Sequence, residues 1–108
     1  MKKRGEVCWV NFDPSVGNEI KMKRPAIIVS NNTSNKYLKR YQVLPLSTNV
    51  EKIYPSEALI DLNGKQNKAM ADQLTTVSEL RLINKIDSIS NNELRSIETV
   101  IKLQLDLK

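Results

Sequence analysis

Apolar and polar positions alternate along "GEVCWVNF", residues 5–12. That pattern predicts a first strand with Val7, Trp9 and Asn11 on one face and Cys8, Val10 and Phe12 on the other. Asp13-Pro14-Ser15 ends it, and Gly17 marks a turn in the loop that follows. "PAIIVS" (25–30) carries no polar side chain before its last residue, as expected of a short strand buried on both sides. "NNTSNK" (31–36) reads as a polar turn or a single helical turn. "YQVLPLST" (41–48) is a third strand, in which Pro45, having no N–H to give, predicts an edge or a bulge.

Residues 49–68 are polar and contain Asn63-Gly64, a favoured hairpin turn pair. "SEALIDL" before the turn and "KAMADQLTTVS" after it form the expected arms. "SELRLINKIDSIS" predicts a short turn and then a last extended segment. At the C-terminal end, Ser90 with Glu93 three residues on makes a capping box. Leu94, Ile97, Val100, Ile101 and Leu105 then recur on one helical face, with Arg95, Glu98 and Lys102 outside. Five or six short strands, one helical turn and one terminal helix predict a mostly β domain spanning residues 1–108. Its expected form is a small, strongly bent sheet or partly open barrel closed by a C-terminal α-helix.

Charge changes this picture more than composition does. The net charge is +5, but residues 1–54 carry +6 and residues 55–108 carry −1. A basic half on a small domain is an electrostatic footprint for nucleic acid. The chain contains no histidine and one cysteine, Cys8. The commonest general base and the commonest zinc ligand are therefore missing, no internal disulfide can form, and neither a metal nor a cofactor is expected. "MKKR" is followed by Gly5-Glu6 where a signal peptide would need an apolar run, and no run approaches a membrane span, so a cytoplasmic location is expected.

The candidate chemistry gathers around "EIKMKRPAIIVS", residues 19–30, where Lys21, Lys23 and Arg24 crowd the mouth of the second strand. Pro25 biases Arg24 toward extended backbone, and a guanidinium held there presents a planar fork suited to phosphate. Such cations also serve simply as solubilising charge, or Arg24 pairs with Glu19. Ser47 and Thr48 end the third strand, and alternation lets only one of them face a site shared with Arg24. Glu19 is a candidate general base or a positioner of the arginine. Asn18 and Asn49 lie in the two loops and join Lys21 and Lys23 as candidate nucleic-acid contacts. Asp72 and Gln73 are read as buried polar groups of a strand that hold a neighbouring loop. Trp9, Phe12, Tyr37, Tyr41 and Tyr54 offer stacking surfaces, with Trp9 and Phe12 assigned to the core.

Taken together, "KRGEVCWVNFDPSVGNE", "RPAIIVSN", "VLPLSTN" and "DQLTTVSELRL" closely resemble the MazF/PemK family of toxin endoribonucleases, in order and spacing over nearly the whole chain. The resemblance implies an SH3-like barrel of the CcdB/MazF type with a C-terminal helix, forming a homodimer. It implies a sequence-selective, metal-independent cut in single-stranded RNA, mostly messenger RNA. The family's catalytic arginine falls on Arg24 and its catalytic threonine on Ser47, with Thr48 as the neighbour in reserve. It also implies a cognate antitoxin, expected to be acidic and partly disordered before binding. Two departures stand out. Ile20, Lys21, Met22 and Lys23 replace the glycine and glutamine frequent in that loop, and Cys8 stands where an aromatic often follows Gly-Glu-Val, with Trp9 one residue later. The rival readings are a gyrase-poisoning toxin of the CcdB type and a nucleic-acid-binding barrel without catalysis.

Overall fold

The computed structural model describes residues 1–108. Seven strands make one curved antiparallel sheet: β1 (Glu6–Asn11), β2 (Lys23–Ile28), β3 (Arg40–Ser47), β4 (Glu57–Leu62), β5 (Lys65–Met70), β6 (Thr75–Ser78) and β7 (Leu82–Ser88). The order across the sheet is β4-β5-β3-β2-β1-β7, with β6 also paired to β3. A short helix α1 (Asn32–Tyr37) follows β2, and helix α2 (Asn91–Gln104) ends the chain. No helix is long and apolar enough to cross a membrane.

β3 is not an edge strand, contrary to the expectation from Pro45. It pairs with β2 along one side, while on the other it pairs with β6 up to Val43 and with β5 from Leu46. The Gln42 carbonyl accepts from Val29 N–H on the β2 side, so alternation points the Pro45 nitrogen to the opposite side. There it meets the gap between β6 and β5, where no ladder bond is lost. One long strand expected over residues 68–78 is instead β5, a 3-10 turn (Ala71–Gln73) and β6. Asp72 and Gln73 sit on that turn, and neither side chain makes the loop-holding hydrogen bond expected of it. The hairpin at Asn63-Gly64 forms as expected, with φ of 52° and 82°, a two-residue turn needing the left-handed region twice.

Both faces of the sheet bury apolar side chains, which is why β2 reads as a continuous apolar run. Val7, Ile27, Leu44, Leu46, Ile60 and Ala69 pack beneath Ile97 and Val100 of α2. Cys8, Val10, Phe12, Ala26, Ile28, Tyr41, Val43 and Val77 pack on the other face. Trp9 is the exception to the expected core. It shares the face of Val7 but lies 38% exposed. Register slips against β7 on either side of Cys8 insert extra residues into β7, and such bulges twist the strand pair. Trp9 belongs to neither apolar cluster and lines a surface cavity instead.

The capping box at Ser90 is complete, with Glu93 N–H donating to Ser90 Oγ at 3.1 Å and Ser90 N–H to Glu93 Oε1 at 3.0 Å. The other carboxylate oxygen accepts Asp61 N–H at 2.7 Å, tying the start of α2 to β4. Burial alone would raise the Glu93 pKa, but the bonds from Asp61 and Ser90 outweigh it and hold the carboxyl below its ordinary 4.5. A lowered folded pKa contributes stability that is present above the unfolded value and lost as pH falls through the folded one. Glu93→Gln should therefore lower stability by about 1 kcal/mol at pH 7. In melting curves against pH, the gap between the two proteins should close as pH falls below about 4.5, the ordinary carboxyl value.

Candidate active site

Arg24 enters the site as the second residue of β2, two positions after a left-handed residue, Met22, with φ of 68°. The strain is held by two bonds: Met22 N–H donates to Asp13 Oδ1 at 2.9 Å, and Phe12 N–H to the Met22 carbonyl at 2.9 Å. Arg81 adds a third fastening by donating to the carbonyls of Asn11 and Asp13. Arg24 Nε donates to the Lys21 carbonyl at 3.1 Å, which sets the plane of the guanidinium. No carboxylate pairs with it, as the chain's three ion pairs are Arg4–Glu98, Lys68–Glu57 and Lys85–Glu6. The two terminal nitrogens are left with their donors and a full positive charge.

The hydroxyl comes from the end of β3. Ala26 stands opposite Pro45 in the β2–β3 ladder, and continuing that register sets Ser47 across from Arg24 and Thr48 across from Lys23. Paired residues project to the same side, so Ser47 is the hydroxyl that shares the face of Arg24. Asn49 N–H donates to Ser47 Oγ at 3.1 Å, which occupies an acceptor position and leaves the hydroxyl proton to give. On β5, Lys68 stands beside Ser47, and its buried ammonium bonds Glu57 Oε1 and the Lys52 carbonyl, both at 3.1 Å. That contact holds the loop of residues 48–56 next to the strand end.

Arg24, Ser47, Thr48 and Lys23 line one cavity of about 380 Å³ at the open end of the barrel, together with Trp9, Pro25, Asn67 and Lys65. Lys21 lies outside it and contributes its carbonyl to Arg24. Asn18 is exposed on the β1–β2 loop, outside the cavity. Asn49 is also outside and reaches the site through its backbone N–H. Glu19 is not brought to Arg24. Its carboxylate accepts Val16 N–H at 2.7 Å within the loop and lines a separate cleft with Phe12, Asp72, Gln73 and Arg81. Sequence reasoning missed Asn67, Lys65 and Lys68 because residues 65–67 look like loop. The signal was the hairpin turn itself, whose register makes Asn67 inward-facing two positions before Ala69.

A family model described as the PemK-like, MazF-like toxin of type II toxin–antitoxin systems matches residues 3–105. The chain belongs to that family. Endoribonuclease MazF9 of Mycobacterium tuberculosis is 35% identical over 116 residues, covering 99% of this chain and 98% of that one. Endoribonuclease MazF of Staphylococcus saprophyticus is 26% identical over 112 residues, with 99% and 93% covered. Among solved structures, MazF from Deinococcus radiodurans superposes with a TM-score of 0.86 at 22% identity, over 98% of this chain and 97% of that one. A mycobacterial endoribonuclease in complex with its cognate antitoxin gives 0.83 at 20% identity, over 100% and 98%. This MazF-type toxin thus has the expected mostly β, CcdB/MazF-type barrel with a C-terminal helix.

Proposed function

We propose that this MazF-type toxin is an endoribonuclease that cuts single-stranded RNA, mostly messenger RNA, in the cytoplasm, without a metal ion and with sequence selectivity. The observation that carries the reading is the pairing of an uncompensated Arg24 fork with the Ser47 hydroxyl across the β2–β3 strand ends. RNA carries its own nucleophile. The 2′-hydroxyl attacks the adjacent phosphorus in line, the bond to the 5′-oxygen breaks, and the products are a 2′,3′-cyclic phosphate and a 5′-hydroxyl. As negative charge grows on the phosphoryl oxygens, Arg24 neutralises it and Ser47 donates a hydrogen bond. Lys23 lies along the same cavity and Lys21 on the loop beside it, where both attract the flanking phosphates. Glu19, committed to its own loop, is given no catalytic part; the proton of the attacking hydroxyl passes to solvent, and the leaving 5′-oxygen takes one from solvent to become the 5′-hydroxyl.

The same cations suit an acidic, disordered antitoxin segment that folds as it binds, so substrate and inhibitor compete for one surface. The reading takes residues 1–108 as one toxin domain acting as a homodimer. Incubation of the purified protein with a long mixed-sequence RNA in EDTA, with fragment ends mapped, tests it. Discrete cuts ending in cyclic phosphate are expected. Ser47→Ala should lose about 10- to 100-fold in cleavage rate, and Thr48→Ala clearly less. Intact RNA, or a greater loss at Thr48 than at Ser47, would overturn the assignment.

A further inference from the structure

The exposed indole of Trp9 and the buried side chain of Asn67 have no part in the phosphate chemistry, yet both line its cavity. From them we infer a base-recognition subsite: an unpaired nucleobase stacks on Trp9 in the barrel mouth and is read along its edge by Asn67. The inference rests on the ribonuclease reading above and names how that site selects its RNA.

Three observations carry it. First, Trp9 faces Pro25 across the β1–β2 ladder, one residue from Arg24, and its 38% exposed indole lines the same cavity as that uncompensated cation, where it offers a flat stacking surface. Second, Asn67 is 2% exposed, and its Nδ2 donates to the Lys65 carbonyl at 3.2 Å. Asn67 lines the cavity, and its Oδ1 takes no hydrogen bond from the chain. A side-chain amide so placed offers an acceptor and a remaining N–H together, the pattern that matches a base edge. Third, the two faces of the sheet divide one nucleotide between them. Trp9 and Thr48 lie on the inward face with Asn67, while Arg24 and Ser47 lie on the other face at the rim. A phosphate at the rim and its own base in the mouth can then be held at once. The cavity, about 380 Å³, falls within the range of small-molecule sites and not of an extended duplex groove.

A duplex cannot present a base this way, so the subsite also accounts for a preference for single strands. Trp9 is the chain's one tryptophan, so its emission reports on the subsite directly. The test titrates the full-length wild-type protein with an uncleavable 2′-O-methyl RNA of mixed sequence, following Trp9 emission and, separately, the anisotropy of a labelled copy. Cleavage motifs are mapped in parallel for wild type, Trp9→Ala, Trp9→Phe and Asn67→Ala. Quenching that saturates with binding is expected. KM should rise about tenfold or more in Trp9→Ala with smaller effects on kcat, and Trp9→Phe should restore much of it. Asn67→Ala should relax the cleavage motif at one nucleotide position. Should Asn67→Ala fail to fold, the Trp9 pair and the wild-type emission still decide the matter. RNA cleavage with unchanged emission at saturation, and an unchanged motif and KM in Trp9→Ala, would overturn the subsite and leave the ribonuclease reading standing. Binding with quenching but no cleavage would keep the subsite and remove the ribonuclease. A protein that neither binds nor cuts RNA overturns both.

Discussion

Arg24→Ala should abolish most RNA cleavage, by about 100- to 1,000-fold in rate, while leaving the melting temperature nearly unchanged. The size follows from what the guanidinium is positioned to do. It carries no ion pair, and its one bond to the fold runs from Nε to the exposed Lys21 carbonyl, so its removal strands no buried charge. In the reaction, by contrast, it is the cation without an ion pair on the face of Ser47 at the strand ends, since Lys68 beside Ser47 is paired with Glu57. Arg24→Lys is the sharper version of the experiment. Lysine keeps the charge but has no Nε to bond the Lys21 carbonyl and no second terminal nitrogen to complete a fork. Most of the rate should be lost with Lys too, and a lysine variant within about threefold of wild type would mean that charge alone matters. Single-turnover rates on an RNA containing the mapped motif separate these outcomes.

Lys68→Met should have the largest effect on the fold. Lys68 and Glu57 are nearly buried, with side chains 9% and 7% exposed and 3.1 Å apart. Removing one partner strands the other charge, at a cost of about 3–5 kcal/mol. For a chain of this size that corresponds to a fall of more than about 10 °C in melting temperature. Replacing both, as Glu57→Leu with Lys68→Met, should recover much of the loss, because the isolated carboxylate goes with its partner. Activity should not recover in parallel. The ammonium also holds the Lys52 carbonyl and lies 5.6 Å from the Tyr54 ring centre, so the double variant still releases the 48–56 loop beside Ser47. A double variant restored in both stability and rate would show that the loop needs no such anchor.

The two ends of the structure were legible in the sequence for different reasons. Helix α2 was readable because its signals are local: a capping box within four residues and an apolar stripe repeating over four turns. The Asn63-Gly64 turn was readable for the same reason. The placement of Arg24 and Ser47 at the ends of β2 and β3 is legible because the constraint of Pro25 and the end of an apolar strand are both visible in the chain. Trp9 was misplaced since alternation gives the face of a residue but not how far along that face the core extends. That limit depends on partners distant in sequence, such as β7, whose register slips against β1 lie about 75 residues away. Pro45 was misread in the same way. The missing N–H was correctly taken as a missing ladder bond, but a strand that exchanges one neighbour for another supplies such a gap without being an edge. Asp72 and Gln73 read as strand residues because nothing in "KAMADQLTTVS" announces the 3-10 turn at which that exchange occurs.

The exchange of neighbours along β3 has a consequence for engineering this protein. One strand is built into both apolar layers, bears the proline seam midway, and delivers the Ser47 hydroxyl at its tip. A repacking change on either side of the sheet, made far from the cavity, has a direct mechanical route to that oxygen. Turnover would then serve as a strain gauge for the whole barrel, registering sub-ångström shifts that a melting curve would average away.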